Sequence, residues 1–208
     1  HLVNKAAAGL GDRIRPCVGA TYCLDALHRT GDSKCIHNPS TGREGTIPHV
    51  IPKSRTPGRR AVVIGAGPAG LEAARVLAER GHMVTVFEAN KAPGGQILIA
   101  ARSQRRRDLI GIVDWRLAEA EILGIDIRCS VYAGVDDVLA QTPDIVIVAT
   151  GGLPDRSFLT EGEELVTDSW EVMTGAALSG DVLVFDAMGG HAGLDATETV
   201  AASAASVE

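Results

Sequence analysis

The sequence predicts an α/β fold built on a parallel sheet, and three observations carry that prediction. Residues 58–152 alternate short apolar runs with helical patterns, as βαβ units do. A glycine-rich turn, Gly65-Ala66-Gly67-Pro68-Ala69-Gly70, follows directly on one apolar run. A second apolar run ends in an acid, Glu88, eighteen residues beyond Gly70.

Taken in order, residues 61–64 read as a short buried strand. Residues 70–80 read as a helix that Gly81 can stop, and residues 83–87 as the next strand. Residues 106–123 carry a helical pattern with Trp115 packed on it, and residues 126–129 form a short strand with Cys129 as a core residue. Residues 144–149 (DIVIVA) follow Pro143 as a continuous apolar strand. The strand-then-glycine pattern of residues 61–70 recurs loosely at residues 182–193 (VLVFDAMGGHAG), where Gly189, Gly190 and Gly193 depart from the usual spacing and His191 reads as a turn residue. This second pattern is open to two readings, a second nucleotide domain or a structural βα unit without a ligand. The chain thus divides into a cysteine segment and linker (1–57), a Rossmann-like domain (58–152), and a connector leading into the start of a second nucleotide domain (153–208).

Composition narrows the classes. With 208 residues, 45% of them hydrophobic and 22% charged, the chain can bury a core and is not disordered. No apolar run is long enough to span a membrane, and residues 1–10 lack the apolar stretch of a secretion signal, so a cytoplasmic location and no membrane contact are expected. The net charge of −6 hides an asymmetry. Residues 1–60 carry ten Lys/Arg against four Asp/Glu, and residues 61–208 carry ten against twenty-two. The basic start has no aromatic interleaving, which argues against nucleic acid as a partner.

The glycine turn is the strongest local motif. Gly65 permits a tight turn, Gly67 lets backbone approach a pyrophosphate, and Gly70 lets the following helix pack on the strand. The helix start at Pro68 and Ala69 offers free N–H groups and a positive dipole end to phosphates. Glu88 stands where an acid binds ribose hydroxyls, which favours FAD, NAD or ADP over NADP. Further on, Pro93-Gly94-Gly95-Gln96 and Ala149-Thr150-Gly151 mark two more turns. Their order after the glycine turn resembles that of flavoproteins with two dinucleotide-binding domains, and that resemblance implies FAD or ADP, with Gly95, Gln96, Thr150 and Gly151 as further cofactor contacts.

Cys17, Cys23 and Cys35 are spaced C-x5-C-x11-C. An odd number of clustered cysteines beside a dinucleotide motif argues for a metal or redox site rather than disulfides. From spacing alone three readings stand: an iron–sulfur cluster, a Cys3His zinc site with His28 or His37 as the fourth ligand, or buried unliganded thiols. Arg105-Arg106-Arg107 reads as a solvated face. Asp114, Glu119 and Glu121 have no catalytic neighbour in the sequence and are assigned no chemistry.

The stretches RPCVGATYCLD, CIHNPSTGRE, RRAVVIGAGPAGLEAARVLAERGH and PGGQ together resemble the C-terminal half of the trimethylamine dehydrogenase/2,4-dienoyl-CoA reductase family, over about residues 10–200. The VGATYC variant is similar to the N-methylproline and dimethylglycine demethylase branch. The resemblance implies a modular flavoprotein oxidoreductase: an FMN-bearing TIM barrel, a segment holding a 4Fe–4S cluster, then FAD/ADP and NAD(P)-type domains. It implies that this chain is the electron-transfer portion of a homo-oligomeric enzyme. The missing barrel, NAD(P)H or an electron-transfer flavoprotein would be its partners. It also implies Cys17, Cys23 and Cys35 as cluster ligands. Where the family has its second cysteine this chain has Ala20, so a non-cysteine group completes the site, or the cluster is three-iron, or it is labile or lost. His37, His28 and Tyr22 are the nearby candidates for a fourth ligand. Three activities are carried forward: demethylation of an N-methylated amine, NAD(P)H-dependent enoate or 2,4-dienoyl-CoA reduction, and a non-catalytic ADP-binding scaffold.

Overall fold

The structure, a computed structural model, describes residues 2–208. The chain forms two units: residues 1–97 with 108–151, and residues 98–107 with 152–208.

The first unit opens with two short helices, α1 (Leu2–Ala7) and α2 (Tyr22–Thr30), within the cysteine segment. Helix α2 is bracketed by two residues in the left-handed region, Thr21 (φ 54°) and Gly31 (φ 74°), and Gly31 N–H closes it on Leu27 O at 2.9 Å. The sheet follows, with β1 (Arg60–Ile64), β2 (Met83–Phe87), β3 (Asp126–Arg128) and β4 (Ile145–Val148) in the order β3-β2-β1-β4, all parallel. Such an order needs right-handed crossovers, which here carry helices. Helix α3 (Pro68–Glu79) links β1 to β2, and α5 (Gly111–Ile122) lies between β2 and β3. The short α4 (Ile97–Ala100) comes before α5, and α6 (Val135–Leu139) joins β3 to β4.

The two faces of the sheet are unequally covered. On one, Ala61, Val63, Val84 and Val86 pack with Leu71 and Ala74 of α3 and Val113 of α5, and Ile145 and Ile147 of β4 join them. On the other, Val62 and Phe87 meet Val138 of α6. Burying each of these side chains stabilises by about 1.5–3 kcal/mol, so the first face carries most of the hydrophobic energy. Strand β4 was expected to be apolar on both sides. It alternates instead, and Val146 and Val148 are exposed.

Several boundaries also move. Helix α3 begins at Pro68, because Pro suits the first helical position, where no N–H is needed. The helix expected over residues 106–123 is a 3-10 turn (Arg107–Ile110) followed by α5. Strand β3 ends at Arg128, which leaves Cys129 half-buried rather than in the core. Burial and the nearby Glu88 carboxylate push its thiol pKa up.

The second unit is smaller. Helix α7 (Ser169–Thr174) is capped by Asp168, which accepts from the N–H groups of Trp170 and Glu171, and it ends at Gly175 in the left-handed region. Strands β5 (Asp181–Val182) and β6 (Ser206–Val207) pair in parallel across helix α8 (His191–Ala201). Val172, Ala196 and Val200 form its core. The strand expected over residues 181–186 shrinks to two residues, although Val184 N–H still donates to Glu208 O at 2.7 Å.

Candidate nucleotide site and cysteine segment

The glycine turn is built as its spacing required. Gly65 leaves β1 with φ +101°, its N–H still donating to Phe87 O at 2.7 Å. A Cβ at Gly65 would stand 2.4 Å from Ala149 O, so only glycine fits between β1 and the turn that follows β4. Gly67 caps α3 in extended conformation. A Cβ at Gly70 would lie 1.9 Å from Gly65 O, so helix and strand approach as closely as backbone allows.

Two further turns close on this one. Gly94 N–H donates to Ala66 O at 2.8 Å, and Gly95 (φ +53°) packs so close to Gly67 that a Cβ there would be 3.1 Å from Gly67 Cα. Gly151 (φ +75°) faces the amide end of Gln96, and Thr150 and Gly151 are exposed at the end of β4. The structure therefore brings Gly65, Gly67, Pro68, Ala69, Gly70, Gly95, Gln96, Thr150 and Gly151 to one end of the sheet, the carboxyl ends of β1 and β4, where doubly wound folds bind ligands. The N–H groups of Ala69 and Gly70 belong to the first turn of α3, where no carbonyl of the helix itself can accept them.

Glu88 is buried at the same end. Its Oε2 accepts from Ala66 N–H at 2.7 Å, and its Oε1 accepts from the backbone and side-chain nitrogens of Asn90 at 2.8 and 2.9 Å. The carboxylate is thus held in place by the glycine turn itself and by Asn90.

The cysteine segment lies in the same unit, fastened to α3 and α5 by a buried ion cluster that sequence reading missed. Glu72, on α3, accepts from Arg15 and Arg75 at 2.9 and 2.7 Å, and Arg116 Nε of α5 lies 3.0 Å from its other oxygen. Burial works to raise the Glu72 pKa, but the hydrogen bond from Arg75 and the charges of Arg15, Arg75 and Arg116 outweigh it and hold the carboxyl at about 2. Trp115 is buried beside the cluster, with the Arg15 guanidinium 4.2 Å from its ring centroid. Glu119, assigned no chemistry from sequence, pairs with Arg13 at 2.7 and 2.5 Å.

His37 is part of the same packing. It is 1% exposed, edge-on to Trp115 at 5.5 Å, and its Nδ1 lies 3.1 Å from Pro16 O. Burial lowers its pKa to about 4, although the Pro16 contact opposes this, so the ring is neutral at pH 7. Its backbone carbonyl accepts from Arg15 and Arg116. Its Nε2 has no hydrogen-bond partner. A ring with Nδ1 on a carbonyl and a bare Nε2 has the hydrogen-bond pattern of a metal-ligating histidine. Yet among the described residues no three His, Cys, Asp or Glu side chains converge closely enough to hold a metal ion.

The arrangement that a single zinc ion requires is therefore not formed. His28 and Tyr22 stand exposed on α2. Cys17 and Cys23 are exposed, Cys35 is half-buried, and all three thiols are free. In kind they fit thiolate ligation of iron, and in number they are one short, since Ala20 offers no donor. Arg105 and Arg107 are exposed, as a solvated face requires, Arg105 pairing at the surface with Glu198 at 2.8 Å; Arg106 alone turns inward, to Asp195 at 3.1 Å.

A signal for the missed acid was present. Ala69-Gly70-Leu71-Glu72-Ala73 recurs as Ala192-Gly193-Leu194-Asp195-Ala196. In both helices the acid two residues past the last glycine pairs with arginine, Glu72 half-buried and Asp195 buried, Asp195 also accepting from Ser103 Oγ at 2.8 Å.

The fold and the turn define a nucleotide-binding protein of the Rossmann-like class. The family model for an NAD(P)-binding Rossmann-like domain matches residues 63–112. Over its whole length the chain is 49% identical to a probable N-methylproline demethylase of Rhizobium meliloti and 42% identical to an N,N-dimethylglycine/sarcosine dehydrogenase of Chromohalobacter salexigens, covering 31% of each. Among solved structures, 6-hydroxypseudooxynicotine amine oxidase from Pseudomonas geniculata N1 matches 97% of the chain with 32% of its own, at 31% identity and a TM-score of 0.88. The chain thus spans about a third of the length of these relatives. It is an oxidoreductase or part of one, and the family resemblance read from its motifs holds: it is a relative of the trimethylamine dehydrogenase/2,4-dienoyl-CoA reductase flavoproteins, on the N-methylproline and dimethylglycine demethylase side.

Proposed function

We propose that this chain is the electron-transfer portion of a flavin-dependent oxidoreductase that removes a methyl group from an N-methylated amine such as N-methylproline or dimethylglycine. The observation that carries the nucleotide part is the meeting of three glycine turns beside a buried, pre-held Glu88. The relatives supply the substrate class. In this reading the ADP half of FAD, or ADP itself, sits on Gly65, Gly67, Pro68, Ala69 and Gly70, with Glu88 on the ribose. Gly95, Gln96, Thr150 and Gly151 line the far side. Cys17, Cys23 and Cys35 hold an iron–sulfur cluster, 4Fe–4S or 3Fe–4S.

The chain's own residues then have defined tasks. The first-turn N–H groups of α3 take pyrophosphate charge, and Gly67 and Gly95 keep side chains out of its path. Glu88 accepts ribose hydroxyls and disfavours a 2′-phosphate by charge. Arg15, Glu72 and Arg116 fix the cysteine segment to the two helices flanking the nucleotide end. When bound, the flavin and cluster supply acceptance of electrons in pairs and their passage singly. Substrate oxidation belongs to an FMN-bearing barrel outside these residues.

The test is protein purified without oxygen, its visible spectrum recorded and its iron and zinc assayed together. Iron with broad brown absorbance, lost on Cys17→Ser, Cys23→Ser or Cys35→Ser, supports the cluster; zinc without iron overturns it. ADP is expected to bind one to one. FAD should bind no more than about tenfold tighter, one factor of ten being about 1.4 kcal/mol, because the contacts described serve pyrophosphate and ribose. Absence of saturable ADP or FAD binding overturns the nucleotide assignment.

A further inference from the structure

The second unit repeats the plan of the first with one change in charge. Gly190 caps α8 in extended conformation as Gly67 caps α3, and Gly193 stands where Gly70 does, so Met188 falls at the position of Gly65. Gly65 has φ +101°, but Met188 is not among the residues with positive φ, and its side chain is 90% exposed. The positive φ falls one residue later, at Gly189 (φ +60°), so the tight first turn is not made at the position that Gly65 holds in the first unit. What occupies the turn is the side chain of Asp186. Its Oδ1 accepts from the N–H groups of Met188 and Gly189, both at 3.0 Å, and its carboxyl group lies so close over Gly193 that a Cβ there would be 2.4 Å from Oδ2.

A dinucleotide needs this place for its own anion. In the first unit, Gly70 packs on a backbone carbonyl and the turn's second residue, Ala66, gives its N–H to Glu88, an acid that arrives from the end of β2. In the second unit the matching N–H, that of Gly189, is held by an acid from within the turn. A full negative charge against the first turn of α8 satisfies the helix dipole. It also repels an incoming phosphate, which must approach the same N–H groups.

We infer that Asp186 is a specificity-determining residue: it closes the second glycine turn to nicotinamide dinucleotides, so that this turn is a self-capped structural element. That exclusion stands on the geometry of the second unit alone. Its consequence, that the complete enzyme exchanges electrons with an acceptor other than NAD(P)H seated on this turn, rests on the function proposed above.

The test reads the turn itself, so that binding at the first site is not mistaken for it. NADH is titrated into the full chain while the amide resonances of residues 188–193 are followed. In the natural protein these amides are expected not to saturate up to about 1 mM NADH. Asp186→Ser keeps a hydroxyl for the Met188 and Gly189 N–H groups but removes the charge, and it should gain at least tenfold in affinity at these amides. Asp186→Ser with Met188→Gly should gain more, and Asp186→Glu should stay closed. Saturation of the natural turn below about 0.1 mM, or no gain in either serine variant with helix α8 intact by its own resonances, overturns the inference. Amide shifts at Gly67, Ala69 and Gly70 in the same spectra report separately on the first site.

Discussion

The two glycine turns of this molecule share a helix cap, a close-packed last glycine and an arginine-paired acid two residues later, yet they carry opposite electrostatic messages. The turn at Gly65–Gly70 puts the first-turn N–H groups of α3 at its mouth and takes its acid, Glu88, from the end of β2. The turn at Asp186–Gly193 spends its own N–H groups on its own carboxylate. A Rossmann-like backbone is therefore not by itself a nucleotide site; what decides is which anion the N–H groups are already holding.

The sharpest way to break the comparison is at the two last glycines. Gly70→Ala would drive a methyl group into the Gly65 carbonyl, which is backbone and cannot move without shifting β1. We expect a loss of about 3–5 kcal/mol or failure to fold, read by urea unfolding. Gly193→Ala meets the Asp186 carboxyl group, a side chain that can rotate away, and should cost only about 1–2 kcal/mol. Equal losses would show the two turns to be packed alike.

Next come the two arginine-paired acids. Glu72 ionises at about 2 in the folded chain, against 4.5 for an unperturbed carboxyl. Its folded pKa is depressed, so its contribution to stability is complete above pH 4.5 and lost as pH falls from 4.5 toward 2. That loss should reach about 3 kcal/mol in the first unit, measured by urea midpoints across that range. Glu72→Gln should flatten the pH dependence and lower stability at pH 7, leaving Arg15, Arg75 and Arg116 without their shared anion. Asp195→Asn, with Ser103 and Arg106 as partners, should cost about 1–3 kcal/mol, confined to exchange of the α8 amides.

A smaller effect concerns binding. Glu88→Gln keeps a carbonyl acceptor for one N–H donor but loses the charge, and should weaken ADP by about tenfold, or about 1.4 kcal/mol, with the fold unchanged. The smallest is Arg105→Ala, which breaks the exposed contact with Glu198 and should change stability by less than about 1 kcal/mol.

Much of the first unit was legible in the sequence because its signals are local. Gly65, Gly67, Gly70 and Glu88 announce themselves by spacing, and the apolar runs of β1 and β2 match their buried patterns. What escaped was set by partners distant in sequence. Helix α2 rests on a left-handed Thr21 that no propensity favours. Glu72 drew no reading from the sequence, because its partner Arg15 lies fifty-seven residues earlier. Val146 and Val148 read as core because apolar runs do not reveal how much of a sheet face is covered. The cysteines are clustered in sequence, but among the described residues they do not converge with other donors in space, and spacing along the chain does not carry that information.

Trp115, beneath the Arg15 guanidinium, has a practical consequence. The chain has two tryptophans, and Trp115 and Trp170 fall in different units. Trp115 is buried against the residues that fasten the cysteine segment, so its emission is a built-in optical gauge of that attachment. With Trp170 replaced by Phe, release of the segment would appear as a red shift of the remaining fluorescence, without any added label.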